Sequence, residues 1–209
     1  MKFYDCRTAP SPRLVRMFLA EKNFEITTVN IDLRSGEHLL TEFKGVNPYC
    51  TVPVLEVDNG IKFTSTQGCW RYLEELKPDP PLLGRTVIEK GTIADLIWRF
   101  DMDGFQAIAE GLRNSAPRLK NRAVTGPKNI RQIPELAERG RVRVKNFLNT
   151  LENILNGKKF MAGELFTAAD IMGLVVIEFA GWLKISLPDD AINTKKWFEK
   201  VSSRPSANL

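Results

Sequence analysis

Histidine is almost missing from this sequence: His38 is the only one in 209 residues. Cysteine is nearly as scarce, at three, and Cys6, Cys50 and Cys69 have neither the pairing nor the spacing of a zinc site. No metal centre is expected. No apolar run approaches the length needed to span a bilayer, so no membrane segment is expected either. The opening MKFYDCRTAPSP lacks the apolar stretch and small-residue cleavage site of a secretory signal. With an odd number of thiols, this leads to the expectation of a cytoplasmic protein with reduced cysteines. Internal repeats and low-complexity segments are absent. The formal charge is +5, but the basic residues are scattered among acids. No basic stripe is interleaved with aromatics, which argues against a nucleic-acid partner.

What is present is an ordinary globular composition, 43% hydrophobic and 26% charged, in a chain long enough for two modest domains. The informative stretch is Asn47 to Thr66. Two apolar runs, Val52-Pro53-Val54-Leu55-Glu56-Val57 and Ile61-Lys62-Phe63, flank Asp58-Asn59-Gly60. Asn-Gly between apolar runs is a strong hairpin signal. Pro53 cannot donate to a strand ladder, so it belongs at a strand start or in a cis bond within a tight turn. A cis Val52-Pro53 bond would turn the amide and carbonyl of Val52 outward, where an extended peptide could pair with them as another strand would. Thr64-Ser65-Thr66 then opens a helical pattern carrying Trp70, Leu73 and Leu76. A helix start offers free N–H groups and the positive end of a dipole, which suit a carboxylate. An edge that pairs with peptide beside such a start describes a site for a small acidic peptide.

Along the chain, Lys2-Phe3-Tyr4 reads as a strand, and Ser11-Pro12 as a helix cap followed by proline, with Leu14, Val15, Phe18 and Leu19 at helical spacing. Phe24 to Ile31 alternates as a strand, and Leu39, Leu40 and Phe43 suggest a short helix. The predicted order is βαβαββα over residues 1–77. Lys77-Pro78-Asp79-Pro80-Pro81 is stiff and helix-breaking, giving a linker over 78–85. Residues 86–209 read as all-helical. The expected helices run from Val87 to Leu112 with a kink at Gly104, from Leu136 to Leu155, over the apolar Ile171 to Leu183 behind a Thr167–Asp170 capping box, and from about Asp189 to Ser202.

These blocks resemble the cytosolic glutathione transferases over nearly the whole chain. The resemblance rests on Asn47-Pro48, Val52-Pro53-Val54-Leu55, Asp58-Asn59-Gly60, Arg71-Tyr72-Leu73-Glu74 and Phe166-Thr167-Ala168-Ala169-Asp170-Ile171. It is similar to bacterial-type or theta- and delta-like members, with the serine/threonine or cysteine type left open. The resemblance implies a thioredoxin-like α/β N-terminal domain, an all-α C-terminal domain and a homodimer. It also implies glutathione as co-substrate on the first domain and a small apolar electrophile against the second.

Carried over residue by residue, the resemblance meets two departures. Where related chains hold the γ-glutamyl group with an acid followed by serine, this one has Ser65-Thr66. Thr66 and its N–H are expected to take the carboxylate, whereas Ser65 has no charge for the ammonium. At the position of the family's activating serine stands Ala9. The neighbouring candidates are Thr8 and Ser11 as hydroxyl donors, and Cys6 in the manner of the cysteine-type members. Such a group would favour the thiolate, the nucleophilic form of a thiol that ordinarily ionises near pH 8.5. Each has a plainer role as well: Ser11 as a helix cap, Thr8 as a turn residue, Cys6 as an inert thiol. His38 either meets the glycine carboxylate of glutathione or is a solvated loop residue. Cys50 and Cys69 read as packing residues. Trp98, Phe100, Met102 and Phe105 line a substrate pocket or form core and dimer contacts, and Asp101 either helps hold the ammonium or is solvated. Two function classes follow: an enzyme that activates glutathione, or a carrier or interaction module on the same fold.

Overall fold

The structure, a computed structural model, describes all 209 residues. The chain forms two compact units, one of Met1–Pro80 with Val124–Lys128 and Leu209, the other of Pro81–Ala123 with Asn129–Asn208.

The first unit is built on a four-stranded mixed sheet in the order β2-β1-β3-β4. The central strand β1 (Lys2–Asp5) runs parallel to β2 (Thr27–Asn30) and antiparallel to β3 (Val54–Glu56), which pairs antiparallel with β4 (Lys62–Phe63). Helix α1 (Pro10–Glu21) connects β1 to β2. A 3₁₀ turn (Glu37–Leu39) and α2 (Thr41–Val46) lead to β3, and α3 (Thr66–Leu76) follows β4. Strand alternation divides the core into two layers. Tyr4 and Val54 pack with Cys6, Ile31, Phe43 and Val52 on one side. Phe3 and Leu55, one residue along each strand, point to the other. Phe18 of α1 stacks on Trp70 of α3 with ring centroids 5.6 Å apart, and the Trp70 indole N–H donates to the Leu14 carbonyl at 3.2 Å.

The βαβαββα order is the one read from sequence, with shifted boundaries. Strand β2 is shorter than Phe24–Ile31 because the Phe24 amide is already used by the Leu19 carbonyl at 2.9 Å, and Asn23 adopts φ 50° to close α1. Helix α1 begins at Pro10, not after a Ser11 cap. Ala9 is its cap residue and Pro10 fills the first position, where a missing N–H costs nothing. The hairpin turns on Gly60 alone, at φ +80°. Asn59 instead accepts the Ile61 amide on its side chain at 3.2 Å.

At the end of this unit, the ammonium of Lys22 is completely buried. It donates to the carbonyls of Lys77 and Pro80 at 2.6 Å each and lies 2.6 Å from the Glu74 carboxylate. The proline-rich exit segment is therefore anchored at its start, because an unpaired buried ammonium would cost several kcal/mol.

The second unit contains helices and 3₁₀ turns, with two isolated bridges (Arg122–Ile130 and Phe160–Gly163) and no strand. Its helices are α4 (Val87–Arg99), α5 (Gln106–Ser115), α6 (Pro134–Leu155), α7 (Ala168–Ala180) and α8 (Ile192–Ser202). A π-helical turn, Phe100–Phe105, joins α4 to α5 in place of the expected kink. Gly104 lies there for closeness: a Cβ would come within 2.7 Å of Val176 and 2.9 Å of Phe147. Helix α7 is buried on nearly every side. Its start is closed by Asp170, whose carboxylate accepts the Thr167 amide and hydroxyl at 2.9 and 3.2 Å, the Met161 amide at 2.9 Å and the Trp197 indole N–H at 2.8 Å. Burial pushes this carboxyl up, and the four donors pull it only part of the way back. No helix in the chain is long and apolar enough to cross a membrane.

Candidate functional site

The loop between β1 and α1 carries Cys6, Arg7, Thr8 and Ala9, and polar contacts hold it at both ends. Arg16, in the middle of α1, reaches back with one guanidinium nitrogen to both oxygens of the buried Asp5 carboxylate at 2.7 and 2.8 Å. Its other nitrogen donates to the Arg7 carbonyl at 3.3 Å. The Arg7 amide donates to Asn30 Oδ1 at 3.4 Å, and the Ala9 amide closes a turn onto the Cys6 carbonyl at 2.9 Å. Within this loop, Cys6 Sγ and Thr8 Oγ1 are 3.6 Å apart. Cys6 is buried and Thr8 exposed.

The second component is the start of α3. Ser65 is its cap residue and accepts the Gly68 amide on Oγ at 3.1 Å. Thr66 is the first helical residue, and its Oγ1 lies 3.4 Å from Ser11 Oγ. Ser11 is the second residue of α1. Two helix starts, with their positive dipole ends, are thus joined through a pair of hydroxyls, although Pro10 and Pro12 have no N–H to offer at α1.

The third component is the segment before β3. Asn47 is fully buried and organises it: its side-chain amide donates to the Thr51 carbonyl at 2.7 Å and hydroxyl at 3.1 Å, and its Oδ1 accepts the Tyr49 amide at 3.0 Å. Cys50 takes φ 52° to complete the turn. The Val52-Pro53 bond is cis. Neither the amide nor the carbonyl of Val52 takes part in the chain's own backbone hydrogen bonds.

Of the residues named from sequence, the structure pairs Ser11 with Thr66 and Cys6 with Thr8. It leaves His38 on a separate segment, half-buried in the 3₁₀ turn ahead of α2. Ser65 has a local duty as a cap. Cys69 is a packing residue: burial pushes its thiol up to about 12. Cys50 is buried with its thiol against the Pro48 carbonyl at 3.7 Å. In the second unit, Phe100 is core, edge-on to Phe147 at 5.4 Å, and Phe105 packs on Phe179 at 5.2 Å, while Trp98 and Met102 are exposed. Asp101 lies in the π-helical turn with Gln106 donating to it at 3.2 Å, and burial raises its carboxyl above the usual range. The pin that sequence reasoning missed is Asp5–Arg16. Its partners are eleven positions apart across a strand-to-helix loop, a spacing with no local signature.

Comparison with known proteins decides the family. The description "Glutathione S-transferase, N-terminal domain" matches residues 10–76, and "Glutathione S-transferase, C-terminal domain" matches residues 107–205. Glutathione S-transferase 2 of Saccharomyces cerevisiae is 30% identical over 209 residues, covering 99% of this chain and 87% of that one. The chain belongs to the glutathione S-transferase family. A crystal structure of a glutathione S-transferase domain-containing protein from Marinobacter aquaeolei is 29% identical, with a TM-score of 0.91 over 99% of this chain and all of that one. The thioredoxin-like first unit and helical second unit are thus the family's own architecture. The chain is also similar to a relative of another name, FtsZ-localized protein A of Caulobacter vibrioides, at 28% identity over 94% of this chain and 84% of that one.

Proposed function

We propose that this transferase binds glutathione on its first unit and directs the thiolate onto a small apolar electrophile. The observation that carries the reading is the Ser11–Thr66 contact of 3.4 Å, because it brings two helix starts to one place. A carboxylate there meets first-turn amides of α3, a hydroxyl and two dipole ends of the favourable sign. The unbonded amide and carbonyl of Val52 offer the peptide part of glutathione a strand-like edge. Glutathione supplies the thiol. The residues of the chain hold its carboxylate, orient its backbone and donate to its sulfur. With an aryl halide, the thiolate forms a carbon–sulfur bond and halide leaves with the bonding electrons.

The working species in this reading is a cytoplasmic homodimer. It is supported by the apolar surface of α4, where Val87 is 89%, Ile88 81% and Trp98 59% exposed, and by the adjoining exposed Met102. Such a surface on a globular chain calls for a partner, and a second copy of the chain is the one family membership favours.

Retention on immobilised glutathione, followed by turnover of a generic aryl chloride, tests the proposal. Elution by free glutathione together with turnover is the expected result, and passage through the column unretained would overturn it. A second reading, that of an interaction module, is favoured by Ala9 at the serine position and by the uncharged Ser65. Retention without turnover of any electrophile would select it.

A further inference from the structure

Lysines and arginines are scattered among acids over most of the chain, with one exception. Residues 111–134, from the middle of α5 to the start of α6, contain Arg113, Arg118, Lys120, Arg122, Lys128 and Arg131 and no aspartate or glutamate. With 30 basic and 25 acidic residues in all, this stretch carries more than the whole excess of +5, and elsewhere acids outnumber bases by one.

The part of this stretch within the second unit is held in shape by neutral partners. Asn114, buried on α5, accepts the Ile133 amide at 2.9 Å, and Gln132 donates to the Arg113 and Ala116 carbonyls at 2.8 Å each. The Ile130 amide donates to the Asn121 carbonyl at 2.8 Å and the Ala123 amide to the Ile130 carbonyl at 3.0 Å, a bridge that sets Arg122 beside Ile130. Arg113 donates to the Arg122 carbonyl at 2.6 Å, and burial together with the Arg122 charge holds its guanidinium below the usual arginine range. The outer cations Arg118, Lys120 and Arg131 are exposed, and no carboxylate pairs with them. Other arginines of the same unit have acids at hand: Arg99 pairs with Asp95, Arg139 with Glu110, and Arg143 with Asp103 and Glu110. Like charges gathered without acids repel one another and stabilise nothing internal. Their counter-charge has to come from outside.

The apolar side chains decide which polyanion fits. Ile130 and Ile133, flanking Arg131, are 42% and 48% exposed. No Phe, Tyr or Trp occurs in 111–134, so nothing there can stack on a base, and aliphatic side chains gain nothing against a phosphodiester backbone. A folded acidic protein needs carboxylates spaced to match these cations. Lipid headgroups instead move laterally to gather under them, and the boundary of the acyl layer takes up aliphatic side chains.

We propose that this segment docks the protein reversibly on an anionic lipid bilayer, with Arg118, Lys120, Arg122 and Arg131 over the headgroups and Ile130 and Ile133 at the acyl boundary. The attachment is peripheral and does not depend on the reading of the glutathione site.

Sedimentation of the full-length protein with vesicles tests it. Binding is expected to vesicles of phosphatidylcholine with about one-third phosphatidylglycerol, not to phosphatidylcholine alone, and to fade between about 0.1 M and 1 M salt as the screening length shortens. The triple variant Arg118→Gln, Lys120→Gln, Arg131→Gln should lower the partition coefficient about a hundredfold and leave the urea midpoint in place. A control triple, Lys145→Gln, Lys184→Gln, Lys196→Gln, removes the same charge from other exposed positions of the unit and should stay within about threefold of wild type. Ile130→Thr with Ile133→Thr should weaken vesicle binding about tenfold and leave retention on immobilised poly-L-glutamate unchanged. The proposal falls if anionic vesicles leave the protein in the supernatant, or if the two triples lose binding equally. It falls too if the isoleucine pair makes no difference on vesicles, since charge alone would then be at work and an acidic protein would be the better occupant.

Discussion

Helices α7 and α3 begin with the same materials, a hydroxyl residue and first-turn amides that need acceptors, and put them to opposite uses. At α7 the acceptor is internal. Asp170 collects four donors, and the Ala168 amide is taken by the Leu82 carbonyl at 2.9 Å. At α3 the only internal acceptor is the Ser65 side chain, which takes one amide, that of Gly68. The Thr66 hydroxyl faces nothing but another hydroxyl. A saturated helix start contributes its full worth to stability, and an unsaturated one keeps part of its worth for a ligand. Helix α8 stands between them, its start closed by a carboxylate from another helix: Glu152 of α6 accepts from the amides and side chains of Asn193 and Thr194 at 2.7 to 2.9 Å.

The sharpest test of this contrast is Asp170→Ala, which strands four buried donors at once. We expect a loss of about 3–5 kcal/mol in urea unfolding, the usual size when a buried charged partner is removed. A loss below about 1 kcal/mol would erase the distinction between the two helix starts.

The mirror experiment is Thr66→Val. It should reduce glutathione affinity about tenfold, from a charge-assisted hydrogen bond of about 1.5–3 kcal/mol, and leave the unfolding midpoint almost unmoved. Equal damage to stability and binding would mean that α3, too, uses its hydroxyl internally.

Ser65→Ala removes the cap and is expected to cost about 1 kcal/mol of stability with a smaller effect on affinity. If affinity instead falls further than in Thr66→Val, the division of labour between the two residues is reversed.

The smallest effect concerns acid. Burial pushes the Glu152 carboxyl up, but the hydrogen bonds from Thr194 and Asn193 outweigh it and hold the group below its ordinary 4.5. A carboxyl depressed in the folded state stabilises above its unfolded value, and that contribution is lost as pH falls through the folded value. Thermal scans below pH 4.5 should therefore show a steeper decline for the wild type than for Glu152→Gln, with parallel curves counting against a closed α8 start.

The saturated half of this contrast was largely legible in the sequence. Thr167 and Asp170 are three apart before an apolar run, a local pattern with a local consequence, and the hairpin at Gly60 and the βαβαββα order are of the same kind. What escaped was tertiary. Nothing near Ser11 indicates that its hydroxyl meets Thr66, and Ser-Pro reads as a cap until Pro10 is seen to claim the helix start. The Asp5–Arg16 pin and the buried Lys22 were equally hidden, since their partners are brought in by the fold and not by spacing. The Phe100–Phe105 π-helical turn was read as a kink because a lone glycine in a helix signals weakness, whereas Gly104 is there to admit Phe147 and Val176.

The first unit is not a continuous piece of chain. It ends at Pro80, yet Val124–Lys128 and the final Leu209 belong to it, and a Cβ on Gly126 would lie 3.6 Å from the Tyr49 carbonyl. A gene cut at the codon for Pro80 would therefore not deliver a finished half. Any exchange of C-terminal portions among relatives would bring along a foreign strip for the segment just before Val52. Over evolutionary time, the residues at 124–128 should drift in step with those at 48–50, as if the two stretches were neighbours in one exon.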